Sequence, residues 1–488
     1  TGKGGDILDY SDLLKSAAVN YNGENPFATG HIKLVQSGND TLFQFDADGS
    51  GNSTQALTLA VLTNTTASQI LTDNFNPNFP PDGSAAAGEV IQGTDKSDKL
   101  VGGYGHDTIS GLAGDDTIDG QAGSDTIYGN DGNDNLTGNF GDDTLYGGAG
   151  NDTLTDDQGT NTLDGGDGND NLTATSLTGN QTLVGGSGHD NLNATGKNVT
   201  LDGGSDNDRL NADGRINKNN QWEYTQNGNA SLKGGDGNDT LFTRSYSSAE
   251  LYGGKGDDNL TSGTESAWDH WGGTRDSVQN ARLFGGEGND RLQASVRGDG
   301  ERYTGGDQNL DQSAFLDGGS GNDTLRVASY YSNKDTGSTK INTKGGDGDD
   351  SINIESGDIY QGGFLNINAS GDKGNDNINI GTNWTNAGGS TNINADGGEG
   401  DDAIHINGHH NTGNTNINIS GGSGTDSIVV TENTAGVNKE KTSDRAFRKV
   451  VIDAGADDDN ITVQGSLNTT ITTGSGSDTI RLTAQQYR

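Results

Sequence analysis

Isolated aliphatic residues recur along the chain from residue 91 onward, each set between polar neighbours. In the first stretch they follow one another every nine residues, at Leu100, Ile109, Ile118, Ile127, Leu136, Leu145 and Leu154. A strand that buries a single side chain cannot form a core alone, so successive coils must stack to make a continuous one. The pattern therefore predicts a β-roll of very short strands over residues 91–160.

The strands lengthen further along the chain. Wider spacing over residues 161–340 leaves room for loop insertions, and from residue 341 the strands become runs of Asn, Thr and Ile. Runs such as residues 365–368 and 414–419 alternate with a period of two, as strands with one buried face do. We expect a β-roll or β-helix with loop insertions over residues 161–340 and a wider β-helix over residues 341–488.

Residues 1–72 precede the repeats and have a different pattern. Short apolar runs at residues 32–35, 41–45 and 57–61 predict strands separated by turns. Residues 73–90 contain Pro77, Pro80 and Pro81 and have the composition of a linker. The predicted fold class is all-β, with a small β-rich domain and a linker ahead of a parallel β-roll or β-helix solenoid.

Composition adds one expectation to this picture, because the strongly acidic charge of the chain favours a bound cation. The 488 residues include 82 Gly, carry a net charge of −41 and are only 27% hydrophobic, which alone would place the chain near the disordered class. So acidic a surface excludes nucleic-acid binding. The absence of Cys excludes disulfides. The absence of Met is expected of a processed or excised piece, and no apolar run is long enough to span a membrane.

The aliphatic positions belong to a longer unit, Gly-Gly-x-Gly-x-Asp-x-U-x, in which U is aliphatic. Its Asp occurs in unbroken nine-residue register and then at intervals of 18 to 33 residues. The Asp positions are Asp98, Asp107, Asp116, Asp125, Asp134, Asp143, Asp152, Asp170, Asp190, Asp208, Asp239, Asp258, Asp290, Asp323, Asp350, Asp376, Asp402, Asp426, Asp459 and Asp478. We expect metal on two edges of the tandem array and on one edge of the later coils.

Stacking places these carboxylates about one strand spacing apart, roughly 4.8 Å. Two like charges at that distance repel by about 1 kcal/mol in water and several-fold more near a protein surface. A divalent cation between successive turns converts this repulsion into a cross-link. Ca²⁺ suits such a site, since it accepts six to eight oxygen ligands in flexible geometry, whereas Mg²⁺ demands strict octahedral geometry.

Residues 93–154 resemble the RTX (repeats-in-toxin) nonapeptide family, and single motifs continue to Asp478. The resemblance implies multiple Ca²⁺ ions held by the motif Asp and by turn carbonyls, with secretion by a type I system and folding outside the cell. Asp206, Ala454 and Asp457 replace motif glycines, which weakens the expectation at their two sites. The motif glycines assigned to the metal sites are Gly102, Gly111, Gly120, Gly129, Gly138, Gly147, Gly165, Gly185, Gly234, Gly253, Gly285, Gly318, Gly345, Gly397 and Gly421.

Residues 1–72 are similar to a region found near the C-terminal end of type I-secreted adhesins. The similarity rests on residues 4–14 (GGDILDYSDLL), 38–42 (GNDTL) and 46–49 (DADG). In that family the region usually comes last, whereas here the repeats follow it.

These features favour a secreted, extracellular structural protein whose calcium-dependent folding supports a surface layer, filament or adhesin. The alternative is a calcium-dependent secretion and folding module of a larger exoenzyme or toxin. A third hypothesis, binding of a periodic ligand such as ice to Asn and Thr rows, is disfavoured by the unequal repeat intervals. No catalytic residue is assigned, because no nucleophile elbow or zinc-protease motif occurs.

Several partners are compatible with the structural hypothesis. We expect self-association with identical copies, with a cell-surface glycan as another candidate, and neither a nucleic acid nor a membrane span. Trp222, Trp268, Trp271 and Trp384 lie between motifs, and they either contact a partner or pack locally on their coils. The basic segment 438–449 is either a solvated loop or a contact to an acidic neighbour.

Overall fold

The computed structural model describes most of the chain. The described residues are 7–10, 12–14, 18, 21, 25–49, 55–71, 74–76, 81–83, 86–218, 221–224, 228–263, 279–296, 311–329, 337–357, 363–385, 389–410, 413–433, 448–465 and 468–483. Trp268, Trp271 and nearly all of the basic segment 438–449 lie outside them. The chain divides into two compact units, Thr1–Gly196 and Lys197–Arg488.

The first residues of unit 1 form a small β-rich domain. Its strands are β1 (Leu8–Asp9), β2 (Ile32–Ser37), β3 (Asp40–Phe45), β4 (Leu57–Leu62) and β5 (Phe75–Asn76), with a 3₁₀ turn at Ala67–Gln69. Strands β2, β3 and β4 form an antiparallel sheet and β1 pairs with β5. The three strands that the apolar runs predicted are therefore confirmed.

Short strands of the solenoid follow in unit 1, alternating between two parallel sheets. Sheet I contains β6 (Val90–Gln92), β8 (Thr108–Ala113), β10 (Thr126–Asp131), β12 (Thr144–Ala149), β14 (Asn161–Asp167) and β16 (Asn180–Ser187). Sheet II contains β7 (Lys99–Gly103), β9 (Thr117–Ala122), β11 (Asn135–Phe140), β13 (Thr153–Asp156), β15 (Asn171–Thr175) and β17 (Asn191–Thr195). Each strand pairs with the strand two places along, as in Ile127↔Leu145.

Unit 2 repeats the arrangement with longer strands. Its sheet I strands are β18 (Asn198–Ser205), β22 (Asn229–Asp236), β24 (Ser248–Lys255), β26 (Asn280–Glu287), β28 (Gln312–Ser320), β30 (Ser338–Asp347), β32 (Phe364–Lys373), β34 (Ser390–Glu399), β36 (Asn414–Ser423), β38 (Arg448–Ala456) and β40 (Asn468–Thr472). Its sheet II strands are β19 (Arg209–Asp213), β23 (Thr240–Arg244), β25 (Asn259–Ser262), β27 (Arg291–Val296), β29 (Thr324–Ser329), β31 (Ser351–Ser356), β33 (Asn377–Thr385), β35 (Ala403–His410), β37 (Ser427–Asn433), β39 (Asn460–Gln464) and β41 (Thr479–Thr483).

A hairpin inserted in unit 2 completes the strands. It pairs β20 (Arg215–Lys218) with β21 (Gln221–Tyr224), the strand that carries Trp222. The fold is thus all-β with parallel coils, as the repeats predicted.

The core of the inner coils contains the aliphatic residue that the motif places two positions after its Asp. Ile109, Ile127 and Leu145 are stacked in sheet I and fully buried. Ile118, Leu136 and Leu154 are stacked in the same way in sheet II. Burial of each such side chain contributes about 1.5–3 kcal/mol, so the stack stabilises the coils even though the chain as a whole is poor in apolar residues.

The small domain packs against the coils of unit 1. Its core joins Tyr10, Leu14 and Tyr21 to Ile32, Phe43, Phe45, Ile70 and Phe75, and Phe140 of β11 packs against the same cluster. The ring centroids of Tyr21 and Phe140 are 5.5 Å apart.

Candidate calcium sites

The motif Asp residues lie in rows along the edges of the coils. In unit 1, turns that lead from sheet II to sheet I carry a short row, Asp107, Asp125 and Asp143. Turns that lead from sheet I to sheet II carry a long row, Asp98, Asp116, Asp134, Asp152, Asp170 and Asp190. In unit 2 the sheet I to sheet II turns carry Asp208, Asp239, Asp258, Asp290, Asp323, Asp350, Asp376, Asp402, Asp426, Asp459 and Asp478. The structure therefore places the Asp on two edges of the tandem coils and on one edge of the later ones.

One carboxylate oxygen of each Asp links successive coils. Oδ1 of Asp125 accepts a hydrogen bond from the backbone N–H of Asp107 in the preceding coil, at 2.8 Å. Oδ1 of Asp134 accepts from the N–H of Asp116 at 2.7 Å, and the contact recurs in unit 2, where Oδ1 of Asp290 accepts from Asp258 at 2.8 Å. These bonds fix the orientation of the carboxylates in both units.

The other carboxylate oxygen is buried and has no hydrogen-bond partner among the described residues. Buried polar atoms of a folded protein are nearly always partnered, so a repeated row of such atoms indicates a ligand that the polypeptide does not supply. This Oδ2 atom belongs to Asp107, Asp116, Asp125, Asp134, Asp143, Asp152, Asp170, Asp239, Asp258, Asp290, Asp323, Asp350, Asp376, Asp402, Asp426 and Asp459.

The first glycine of each motif leaves the space into which Oδ2 points. A Cβ added to Gly102 would lie 2.5 Å from Oδ2 of Asp107 and 2.7 Å from the carbonyl oxygen of Gly120 in the next coil. Because glycine has no side chain, a carboxylate oxygen and a carbonyl oxygen can lie close together at this position. The same pairing of Oδ2 with a carbonyl of the next coil occurs at Gly120, Gly129, Gly147, Gly165, Gly234, Gly253, Gly285, Gly318, Gly345, Gly397 and Gly421, and at Gly111. Gly185 supplies the carbonyl beside Gly165.

These donors are oxygen atoms of the kind that Ca²⁺ prefers. Within the described part of the chain, no group of three or more His, Cys, Asp or Glu side chains is placed to hold a metal ion. A site on these rows would therefore combine a carboxylate with main-chain carbonyls, and such hard oxygen ligands suit Ca²⁺ better than a transition metal. The residues present fit the ion that the motif implies.

The turn itself requires a positive φ at the fourth motif position. Gly123 has φ +133°, and a Cβ there would clash with the carbonyl of Gly105 in the preceding coil. Asp206 and Asp457 replace glycine at this position with φ of 76° and 80°, which Asp tolerates better than most residues. The turn geometry therefore persists at both departures from the motif, and the carbonyl of Ala454 lies beside Gly421 where a glycine carbonyl lies elsewhere.

The rows are electrostatically strained when no cation is present. Burial, followed by the charges of Asp143, Asp107 and Asp119, raises the pKa of Asp125 to about 8, although its backbone hydrogen bond opposes the shift. Burial, together with the charge of Asp290, raises the pKa of Asp258 to about 7. A carboxylate removed from water and set beside other carboxylates favours its neutral form. A bound cation would favour the ionised form instead.

Two predicted ligands differ from the rest. Asp98 is partly exposed, and its Oδ2 accepts hydrogen bonds from the N–H and Oγ1 of Thr94 at 2.6 and 2.8 Å. Asp478 is also partly exposed, and its Oδ1 accepts the N–H of Asp459 at 3.1 Å. The described structure thus gives these two residues the row position but not the buried Oδ2.

Sequence reasoning missed other residues of the same kind. Gly203 and Gly371 have the same geometry beside Asp208 and Asp376. They could have been found, because each stands five residues before its Asp, as the motif requires. Asp156 is also buried with an unpartnered Oδ2 among the described residues. It lies in DDQGTN, a stretch that the motif search passes over because it lacks the leading glycines and the Asp at position six.

Comparison with known proteins finds calcium-binding repeats in this chain. The RTX calcium-binding nonapeptide repeat family matches residues 92–127, 110–145, 119–154, 137–172, 184–214, 224–245, 280–295 and 315–326. A solved structure of a hyperactive, Ca²⁺-dependent, β-helical antifreeze protein from an Antarctic bacterium is 21% identical, with a TM-score of 0.39, over 65% of this chain and 83% of that one. No curated protein matches the chain significantly. In the described residues, no helix is long and apolar enough to cross a membrane.

The repeats, their register and the Asp rows thus agree in both units. The chain carries RTX calcium-binding nonapeptide repeats between residues 92 and 326, and these repeats indicate multiple bound calcium ions.

Proposed function

We propose that each buried Oδ2, with carbonyl oxygens of the turns, holds a calcium ion between successive coils. The rows of buried, unpartnered Oδ2 atoms carry this proposal, because these atoms recur at the same place in coils of both units. Each ion neutralises carboxylates that would otherwise repel one another and links two successive coils. Asp98 and Asp478 join the rows as more exposed ligands.

Calcium would then control folding of the solenoid. An ion that binds the folded coils and not the unfolded chain stabilises them by its binding free energy. With many sites in one stack, folding becomes steeply dependent on free calcium. The chain would stay unfolded at the low calcium of a cell interior and would fold on reaching a calcium-rich exterior.

The function that we propose is structural, in a secreted protein that assembles at a cell surface. The repeats form nearly the whole chain, and stacked coils present repeating polar rows suited to lateral contact with identical copies or with a surface glycan. The small domain packs on the coils through Phe140, which supports its being a fixed part of the assembly unit. We assign no catalytic role.

The test is a calcium titration of the EGTA-treated protein, followed by far-UV circular dichroism and light scattering together. Disorder in EGTA, followed by β-signal and large assemblies as calcium rises, supports the assembly proposal. Folding to a monodisperse monomer favours the alternative, a secretion and folding module of a larger exoenzyme or toxin. A β-signal that is insensitive to exhaustive chelation contradicts the calcium mechanism, with Mg²⁺ at equal ionic strength as the control.

A second candidate function, binding of a periodic ligand such as ice, is favoured by one observation. Asn342, Asn368, Asn394 and Asn418 form a column in register on the outer face of sheet I, linked by side-chain hydrogen bonds of 2.7–2.8 Å. A groove of about 550 Å³ runs along this column. Thermal hysteresis that is lost on Asn394→Leu would support this function, and none in the folded protein would contradict it.

A further inference from the structure

The short Asp row ends where the nonapeptide sequence breaks down. After Asp143 the next turn of this row reads Asp156-Asp157-Gln158-Gly159-Thr160-Asn161. Strands β12 and β14 remain in register across the break, with Thr144 opposite Thr162. Asn161 takes the place of the next Asp, because its Oδ1 accepts the backbone N–H of Asp143 at 3.0 Å. The coil therefore continues without a carboxylate at the usual motif position.

Asp156 supplies a carboxylate from a different position in the same turn. It is 1% exposed at the end of β13. Its Oδ1 accepts the N–H of Gln158 at 3.0 Å, while its Oδ2 is buried and has no hydrogen-bond partner among the described residues. Asp143 is equally buried, and its own Oδ1 is occupied by the N–H of Asp125 at 2.7 Å. Each residue thus has one anchored oxygen and one unpartnered oxygen.

Both unpartnered oxygens converge on Gly138. A Cβ at residue 138 would meet Oδ2 of Asp156 first and Oδ2 of Asp143 next, the latter at 2.6 Å. At Gly102 and Gly120 in the same row, the corresponding neighbours are one Asp Oδ2 and the carbonyl oxygen of the next coil. In the space beside the first motif glycine, which we call the glycine cradle, a charged oxygen of Asp156 has therefore replaced a neutral carbonyl oxygen.

Two carboxylates in one buried cradle require either a proton or a cation. Ca²⁺ sites that have more carboxylate ligands bind more tightly, because ligand charge is one of the quantities that set their affinity. The additional carboxylate, that of Asp156, lies at the point where the short row ends.

We propose that Asp143 and Asp156 form a two-carboxylate calcium site at the end of the short row. This proposal rests on the proposed function, in which the rows hold calcium, and adds a site of a different class that holds its ion more tightly than the one-carboxylate sites. The turn that it fixes begins directly after Phe140, the residue that packs against Tyr21 of the small domain. The ion at this site would therefore fix the position of Phe140, against which the small domain packs.

The test counts ions at graded free calcium by native mass spectrometry of the full chain, with EGTA as the calcium buffer. In the unmodified protein one ion is retained after the others have left. Asp156→Asn removes one carboxylate without changing its size, so this last ion should leave at about tenfold higher free calcium or more. Asp131→Asn, which removes one charge from an exposed position of a neighbouring turn, serves as the matched control and should retain the ion.

A second measurement identifies the ligands directly. Eu³⁺ replaces Ca²⁺ at oxygen sites, and its excitation line shifts with the summed charge of its ligands. We expect a minor line from the two-carboxylate site that disappears in Asp156→Asn and in Asp143→Asn and persists in Asp131→Asn. Hydrogen exchange over residues 126–167 shows whether each variant keeps the coil folded, so that loss of the line is not mistaken for misfolding.

Three outcomes separate the two proposals. If the folded protein binds no calcium at all, the proposed function fails and this site fails with it. If many ions bind but Asp156→Asn changes neither the free calcium at which the last ion leaves nor the Eu³⁺ line, calcium binding along the rows is supported. The two-carboxylate site is then overturned, since the pair shares a proton instead of an ion. Selective loss in the Asp156 and Asp143 variants supports the site.

Discussion

The two oxygens of a motif Asp such as Asp290 have separate roles. Oδ1 accepts a backbone N–H of the neighbouring coil, and Oδ2 faces the glycine cradle without a protein partner among the described residues. An Asp→Asn change keeps the Oδ1 acceptor and replaces Oδ2 by an NH₂ group, which cannot bind a cation. Such variants therefore distinguish metal binding from the structural hydrogen bond.

Asp258→Asn should lower the ion count by one and raise the calcium concentration needed for folding several-fold. The Oδ1 contact to the N–H of Asp239, at 2.8 Å, can persist in the variant, so the loss is in calcium affinity rather than in coil geometry. A calcium titration followed by circular dichroism measures the midpoint, with Asp131→Asn as the control for loss of charge. An unchanged midpoint and ion count would contradict a ligand role for Asp258.

In EGTA, mild acid should favour the ordered coils. The pKa of Asp125 is raised to about 8 and that of Asp152 to about 7 in the folded, ion-free chain, mainly by burial. A carboxyl whose pKa is raised on folding contributes stability at low pH that is lost as pH rises through the raised pKa. The β-signal in EGTA should therefore be larger at pH 5 than at pH 8, and an equal or reversed signal would be evidence against this account.

At the scale of the strand, the sequence predicts those features that follow from the spacing of its hydrophobic residues. Aliphatic residues two positions after each Asp identified the buried stack, and the apolar runs at residues 32–62 identified the antiparallel sheet, because each pattern follows from which side chains face a core. The expectation that unequal repeat intervals would keep the Asn rows from matching is wrong. Unequal repeat intervals do not displace strands, since Asn342 and Asn368 stay paired although they are 26 residues apart in sequence.

Other features of the sites could not be predicted, because they depend on contacts between coils. Nothing local in DDQGTN indicates that Asp156 points into the cradle of Gly138, which lies one coil earlier. The docking of Tyr21 on Phe140 is likewise a contact between elements distant in sequence. A repeat search finds the regular sites, and the irregular ones appear only when the coils are stacked.

The glycine cradle gives a prediction at the element scale. Gly253→Ala should weaken the calcium response of the coil around Asp258, because the added Cβ would meet Oδ2 of Asp258 and, at 2.6 Å, the carbonyl of Gly285. Gly381→Ala on β33 is the control, since its Cβ would lie 3.8 Å from its nearest neighbour, the carbonyl of Ile354. The calcium midpoint measured by circular dichroism should rise several-fold in the first variant and stay constant in the second. Equal midpoints in both variants would exclude a role of the glycine cradle in calcium binding.

At the scale of the whole molecule, net charge and folding are coupled through calcium. A chain with a charge of −41 and 27% hydrophobic residues gains little from burial and loses much by repulsion when it compacts. Ions bound along the rows change both terms, because they neutralise carboxylates and tie coils together. Stability of such a solenoid is a sum of coil and interface terms, so each ion contributes to its neighbours on both sides.

The small domain contacts the solenoid through the ring of Phe140, which can be removed without changing a carboxylate. Phe140→Ala should loosen the domain, because Tyr21 loses its ring partner at 5.5 Å and the core around Phe43 and Phe75 loses a packing neighbour. Hydrogen exchange in β2 and β3 should rise, while the calcium midpoint of the coils changes little. Tyr128→Ala, on the exposed face of β10, is the control. Unchanged exchange in β2 and β3 would show that the domain is held by other contacts, whereas a large shift in the calcium midpoint would show that docking itself stabilises the short Asp row.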